Sequence, residues 1–184
     1  MANPAVFMDR DGVINVEHGY ISKVNDFEYI EGVFDACRAL KSMGYLLVLV
    51  TNQSGIARGY YTKNDFMSLT KWMNWSFAKQ GINFDSIYYC PHHPEYGDET
   101  YKKNCNFRKP KPGMFFDARD SLNIDMHRSV MIGDKTDDMR AAHAAGIGTK
   151  ILVRSGQKIS KEGEELAIIV LNSIADVPVY LKNR

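Results

Sequence analysis

Ala5-Val6-Phe7-Met8-Asp9-Arg10-Asp11-Gly12-Val13 brings an apolar run to two aspartates and a glycine. The run reads as a short buried strand, and Gly12 as part of the turn that follows it. Asp9 and Asp11 stand two residues apart, so their carboxylates repel each other. A fold keeps such a pair most readily when a cation sits between them or when one of them does chemistry. The Asp-x-Asp-Gly turn therefore points to a metal-assisted site at the first loop. Taken alone, the pair is as well explained by a helix cap or a solvated turn.

The segments beyond this turn alternate between strand and helix. Val33, Ala36, Cys37, Leu40 and Met43 recur at helical spacing, and Gly44 offers a stop. Tyr45–Val50 is a continuous apolar run, as expected for a parallel strand covered on both faces. Thr62 with Asp65 resembles a capping box, and Phe66, Leu69, Met73 and Phe77 then line one helix face up to Gly81. Ile87–Tyr89 reads as a third strand, 91–112 as a polar loop, and Met114–Leu122 as a helix. Ser129–Ile132 is a fourth strand, Asp137–Ala145 a helix, and Thr149–Val153 a fifth strand with a helical tail to Arg184. This alternation predicts an α/β fold with a doubly wound parallel sheet. In such sheets the ligand sits beyond the carboxyl ends of the strands. That rule places Asp9, Thr51, Cys90 and Gly133-Asp134 on one rim.

Bulk properties narrow the function classes. A length of 184 residues suggests one domain spanning 1–184. The net charge of +1 argues against a general nucleic-acid binder. No apolar run is long enough to cross a bilayer, and the N-terminus lacks a signal-like pattern, so neither membrane insertion nor export is expected. The 3 cysteines, Cys37, Cys90 and Cys105, argue for a reducing compartment rather than a disulfide framework. Cys37 falls on an apolar helix face and reads as a core thiol. Trp72 and Trp75 read as packing residues, His127 and His143 as surface or packing residues. Nothing indicates a large apolar interface, so a monomer is expected.

The rim carries the parts that phosphoryl transfer needs. Thr51-Asn52-Gln53-Ser54-Gly55 offers hydroxyls, amides and main-chain N–H groups to phosphate oxygens. Arg108-Lys109-Pro110-Lys111-Pro112 offers cations, and Gly133-Asp134-Lys135-Thr136-Asp137-Asp138 offers more carboxylates and a lysine. An aspartate can attack phosphorus, and a second carboxylate can protonate the leaving alcohol and later activate water. A hard divalent ion offsets repulsion between nucleophile and substrate, and magnesium fits few carboxylates plus substrate oxygens. The cations Lys102, Lys103, Arg108, Lys109 and Lys111 read as a phosphate-focusing rim rather than a nucleic-acid patch. Spacing alone leaves open whether Lys109 or Lys111 meets the phosphoryl group.

Asp9-Arg10-Asp11-Gly12-Val13, Thr51, Lys109 and Gly133-Asp134-x-x-x-Asp138 together resemble the four motifs of the haloacid dehalogenase superfamily, in order. The resemblance implies a Rossmann-like fold. It makes Asp9 the nucleophile and Asp11 the general acid/base. Asp9, Asp134 and the main-chain carbonyl of Asp11 would hold magnesium, and Thr51 and Lys109 would bind the phosphoryl group. The family pattern Arg-Lys-Pro-x-Pro selects Lys109 over Lys111. No insertion between 13 and 45 or 59 and 84 is long enough for a large cap.

His18-Gly19-Tyr20, Thr51–Gly59, Tyr89–Pro94 and Gly148–Gly156 narrow the likeness to the D-glycero-D-manno-heptose 1,7-bisphosphate 7-phosphatases. The likeness runs over essentially the whole chain. It implies removal of the 7-phosphate on the cytoplasmic route to nucleotide-activated heptose for the lipopolysaccharide core. Arg108 would contact the distal phosphate or sugar, and Glu17, His18, Gly19, Tyr20, Asn52, Gln53, Ser54 and Lys135 would complete the substrate pocket. Relatives bind structural zinc through Cys-x-His and a later Cys-x-Cys. Here Cys90 and His92 stand in the first half, but the second reads Cys105-Asn106-Phe107, and phenylalanine ligates no metal. The expectation is weakened zinc binding by Cys90, His92 and Cys105, with a water or His93 as the fourth ligand. Histidinol-phosphate phosphatases share most of these motifs and are the nearest alternative. A non-catalytic phosphosugar-binding protein and a phosphomutase are the others. The intact aspartates argue against the first and the missing cap against the second.

Overall fold

The computed structural model describes all 184 residues, Met1–Arg184. Six strands build one parallel sheet: β1 (Ala5–Met8), β2 (Leu46–Asn52), β3 (Ser86–Cys90), β4 (Val130–Gly133), β5 (Thr149–Val153) and β6 (Ile169–Leu171). Their order is β3-β2-β1-β4-β5-β6. The helices between and after them are α1 (Val33–Ser42), α2 (Lys63–Lys79), α3 (Gly113–Leu122), α4 (Thr136–Ala144), α5 (Lys161–Leu166) and α6 (Val177–Lys182).

The continuous apolar runs follow from burial on both faces. Along β1, Val6 and Met8 enter one core, while Ala5 and Phe7 enter the other. Leu47 and Leu49 of β2 split from Val48 and Val50 in the same way. The first core is closed by Val33 and Leu40 of α1, Leu69 and Phe77 of α2, and Leu181 of α6. The second is closed by Met114 and Phe115 of α3 and Met139 and Ala142 of α4. Full burial of each such aliphatic or aromatic side chain contributes roughly 1.5–3 kcal/mol. Truncating Phe77, which is fully buried, to Ala would cost about 3–5 kcal/mol. The start of α2 is fixed locally. Thr62 Oγ1 accepts from the Asp65 N–H at 3.1 Å, and Asp65 Oδ2 accepts from the Thr62 N–H at 2.8 Å.

The strand order reverses at β1, and this locates the site. The chain steps outward from β1 to β2 and β3, then returns to lay β4 on β1's other side. Met8 is therefore in register with both Leu49 and Ile132. Asp9, Thr51 and Asp134 leave the sheet side by side at this switch point, where open α/β sheets bind ligands.

Three expectations need correction. The tail after β5 is not a helix throughout: Ile169–Leu171 pairs with Ile151–Val153 as the edge strand β6, between the short helices α5 and α6. The β-branched pair Ile169 and Val170 suits an extended edge that β5 leaves open. Trp72 packs against the first core, but Trp75 is 57% exposed, with the Lys79 ammonium 4.3 Å from its ring. Of the five cations in 102–111, only Arg108 and Lys109 reach the cavity at the rim. Residues 13–32 form a short excursion with one three-residue 3₁₀ turn, Val24–Asp26, and no inserted domain.

Candidate active site

Asp9 follows β1 directly and is buried. Its N–H donates to the Ile132 carbonyl at 3.1 Å, which ties it to β4. Oδ1 accepts from the Arg10 N–H at 2.8 Å and lies 3.3 Å from Lys109 Nζ. Oδ2 makes no hydrogen bond, and Asp9 lines the cavity. Burial opposes its ionisation, but Lys109 and Lys135 outweigh burial and hold the carboxyl below its ordinary value. The site thus contains an ionised carboxylate with one oxygen tethered and one free. Gly12 turns the chain at φ +87, and a Cβ there would lie 2.4 Å from Asp134 Oδ2, so only glycine fits.

Asp11 is held from several sides. Its Oδ1 accepts from Arg10 Nη2 at 2.9 Å and from Asn15 Nδ2 at 2.9 Å, and its Oδ2 from Gln53 Nε2 at 3.2 Å. Arg10 is almost fully buried between Phe27 and Phe66, 5.7 and 5.9 Å from their ring centres, and also donates to the Ile21 carbonyl at 2.8 Å. Gln53 Oε1 accepts from the Tyr61 hydroxyl, which turns the Gln53 amide N–H toward Asp11 and Thr51. Burial raises the Tyr61 pKa, so the phenol keeps its proton. Gly55 makes this relay possible, since a Cβ there would lie 2.2 Å from the Tyr61 ring.

Lys109 supplies the buried positive charge. Its Nζ donates to the Val50 carbonyl at 2.8 Å and to Asp138 Oδ1 at 2.6 Å, and only 2% of the residue is exposed. Burial works against the ammonium, but Asp138 and Asp9 prevail and raise its pKa. Asn52 clamps the Lys109 backbone: Nδ2 donates to its carbonyl and Oδ1 accepts from its N–H, both at 3.0 Å. Lys111 turns away and donates to Asn104 Oδ1 at 2.6 Å. Spacing left the two lysines equivalent; the fold separates them. Thr51 is buried, with Oγ1 accepting from Gln53 Nε2 at 2.9 Å.

Ligand oxygens of Asp9, Asp134 and Asp138 all lie within 4.8 Å of one another. Asp134 is fully buried, and its Oδ1 has no hydrogen-bond partner. Its Oδ2 accepts from the Gln157 N–H at 2.9 Å. Burial, then Asp138 and Asp9, push the Asp134 carboxyl well above its usual range. Asp138 is engaged elsewhere: Oδ1 faces Lys109, and Oδ2 accepts from the N–H groups of Asp134 and Lys135, each at 3.1 Å. The main-chain carbonyl of Asp11 accepts no hydrogen bond. These unengaged hard oxygens on Asp9, Asp134 and the Asp11 carbonyl fit magnesium.

A cavity of about 350 Å³ opens over Asp9 and Asp11 and is lined almost wholly by polar residues. Of the residues the likeness assigns to the substrate pocket, Glu17, Gly19, Tyr20, Ser54, Arg108 and Lys135 line this cavity. Asn52 and Gln53 also reach it, but their amides are engaged in holding Lys109 and Asp11. His18 does not reach it; its exposed ring sits 3.5 Å from Glu28. Arg58, Tyr61 and Gln157 line the cavity without having been singled out by sequence. Burial opposes the Lys135 ammonium, yet Asp9, Asp134 and Asp138 raise its pKa.

The ligand atoms of Cys90, His92 and Cys105 also lie within 4.8 Å of one another. Burial pushes the Cys90 thiol up to about 12. Phe107, where a fourth ligand would stand, packs its ring against Tyr88 at 6.4 Å. His93 does not replace it: Nδ1 accepts from the Glu95 N–H at 3.0 Å, and the ring packs on Tyr96.

A HAD-hydrolase-like family model matches residues 106–177. The chain is 66% identical over 181 residues to the D-glycero-beta-D-manno-heptose-1,7-bisphosphate 7-phosphatase of Vibrio cholerae, covering 98% of this chain and 97% of that protein. The chain belongs to this phosphatase family. The Yersinia pestis member is 56% identical over 181 residues, covering 98% of this chain and 96% of that one. Among solved structures, the heptose 1,7-bisphosphate phosphatase of B. bronchiseptica, complexed with magnesium and phosphate, superposes with a TM-score of 0.82 at 28% identity. That match covers 98% of both chains. The family's haloacid dehalogenase fold accounts for the strand order and the rim described above.

Proposed function

We propose that the chain is a magnesium-dependent phosphatase that removes the 7-phosphate of D-glycero-β-D-manno-heptose 1,7-bisphosphate, in the route to nucleotide-activated heptose. One observation carries the reading: a free Asp9 carboxylate oxygen at the floor of a polar cavity, beside buried Lys109. The Vibrio cholerae relative supports the choice of substrate.

Lys109, Lys135 and Thr51 hold the scissile phosphoryl group against Asp9. An Asp9 oxygen attacks phosphorus, and the bond from phosphorus to the sugar oxygen breaks. Asp11 gives its proton to that leaving oxygen. As a carboxylate, it then takes a proton from the water that attacks the aspartyl-phosphate, and inorganic phosphate leaves with Asp9 regenerated. Asp9, Asp134 and the Asp11 carbonyl would hold magnesium, which when bound would offset the repulsion between carboxylate and phosphate. Arg10, Asn15 and Gln53 keep Asp11 aimed. Asp138 keeps Lys109 and the backbone of Asp134 in place. Zinc on Cys90, His92 and Cys105 would stiffen the loop carrying Arg108 and Tyr96.

Phosphorus NMR of the reaction with the heptose bisphosphate, beside histidinol phosphate, tests the reading. Loss of the 7-phosphate signal with the 1-phosphate retained is expected. Higher kcat/KM on histidinol phosphate would refute it.

A further inference from the structure

The turn after β5, Ser155-Gly156-Gln157, lies outside the four motifs, yet it meets two of the oxygens suited to magnesium. In the sheet β4 separates β5 from β1, so this turn must cross the end of β4 to reach the first loop. It does so at Ser155, whose hydroxyl donates to the Gly12 carbonyl at 2.7 Å. Asp134, the residue that follows β4, stands at that crossing.

Two glycines leave room for the Asp134 carboxylate. A Cβ on Gly156 would lie 2.1 Å from Asp134 Oδ2, and one on Gly12 would lie 2.4 Å from the same oxygen. Gly12 also has a positive φ, whereas Gly156 does not, so close approach alone holds position 156 to glycine. The next N–H, that of Gln157, donates to Oδ2 at 2.9 Å, while Oδ1 is buried without a partner.

The Asp11 carbonyl is fixed from the same turn. The Gly12 N–H donates to the Asn15 carbonyl at 2.8 Å, and the Gly12 carbonyl accepts from Ser155. The peptide that carries the Asp11 carbonyl and the peptide after it are thus both pinned. Without the Ser155 hydroxyl, the buried Gly12 carbonyl loses its donor, and a glycine is free to turn. Magnesium demands near-octahedral placement of its oxygens, so small shifts in two ligands weaken its binding.

We propose that Ser155 and Gly156 are positioning residues for magnesium. Ser155 aims the Asp11 carbonyl and Gly156 the free oxygen of Asp134, although neither supplies a ligand. This assignment rests on the magnesium reading above.

The test measures manganese(II) binding by electron paramagnetic resonance, without substrate, for wild type, Ser155→Ala, Ser155→Thr and Gly156→Ala. Manganese(II) takes the same hard oxygen ligands as magnesium. Ser155→Ala should weaken binding about 10-fold, the loss typical of a group that orients a metal ligand. Ser155→Thr should restore most of it, because it keeps the hydroxyl. Gly156→Ala should lose more, because its Cβ displaces the ligand carboxylate itself; Ser155→Ala decides the matter where Gly156→Ala does not fold. Thermal melts in chelator show which variants are folded, and added magnesium should raise Tm less for Ser155→Ala than for wild type. In phosphate release, Ser155→Ala should need about 10-fold more magnesium for half-saturation, with KM for the bisphosphate unchanged at saturating magnesium. Wild-type manganese affinity in Ser155→Ala would overturn the assignment, even with a lowered Tm, because Ser155 would then be only structural. No saturable manganese binding by wild type would overturn the magnesium reading and the assignment with it.

Discussion

Asp138→Ala removes the partner that holds Lys109. Asp138 is 1% exposed and Lys109 2%, and their charged atoms meet at 2.6 Å. Removing one member of a buried pair leaves the other charge uncompensated, at a cost of about 3–5 kcal/mol. Lys109 keeps Asp9 at 3.3 Å and the Val50 carbonyl at 2.8 Å, which favours the lower end. The N–H groups of Asp134 and Lys135 also lose their acceptor, which moves the cost back up. A net loss of roughly 3–5 kcal/mol lowers Tm by roughly 6–20 °C in a chain of this size. Asp138→Asn keeps the shape and an acceptor oxygen, so its loss should be about 1.5–3 kcal/mol. Urea unfolding with a chelator present measures both, because a bound ion would stabilise the folded state unequally. A loss under 1 kcal/mol for Asp138→Ala would refute this account of the pair.

Asp9→Asn should fold normally and lose turnover by roughly 10⁴-fold or more in a phosphate-release assay; near wild-type turnover would reject Asp9 as nucleophile. Burial pushes the Cys37 thiol from 9.0 to about 12, so the folded chain keeps a proton that the unfolded chain loses. Below pH 9 this has no effect, and above it stability falls, by about 1.4 kcal/mol at pH 10. Cys37→Ala should be less stable at pH 8 but fall less between pH 8 and 10 in urea melts; equal falls would contradict the assignment. Phe107→Cys should tighten zinc binding at least about 10-fold by chelator competition, since it supplies a fourth ligand; unchanged affinity would show that Cys90, His92 and Cys105 do not form the site.

The doubly wound sheet was legible because runs such as Ala5–Met8 and Tyr45–Val50 are apolar throughout, a pattern that demands helices on both faces. Asp9 and Asp134 were legible because each follows an apolar strand directly, whereas Lys109 was separated from Lys111 only by the family pattern, since both stand in one loop and only burial tells them apart. The edge strand β6 was hidden, since three half-buried residues carry too short a pattern to separate strand from helix. The roles of Arg10 and Asp138 were not visible, because burial and partners decide them. Arg10 looks like an ordinary turn residue until Phe27 and Phe66 close over it. Asn52 and Gln53 are polar residues in the right loop, but their amides bind protein groups. His18 sits between two cavity residues, yet its exposed ring lies beside Glu28 instead. Arg58 lies inside the Thr51–Gly59 stretch, but no role could be read for it there; the structure sets it apart as a cavity residue whose Nε has no partner.

The stereochemical course at phosphorus tests the central claim, that the phosphoryl group passes to Asp9 before it passes to water. The substrate would carry a 7-phosphorus made chiral with sulfur and oxygen isotopes, and the configuration of the released thiophosphate would be read. Two in-line displacements, at Asp9 and then at water, predict net retention. Net inversion would mean that water attacks directly, and would contradict the account.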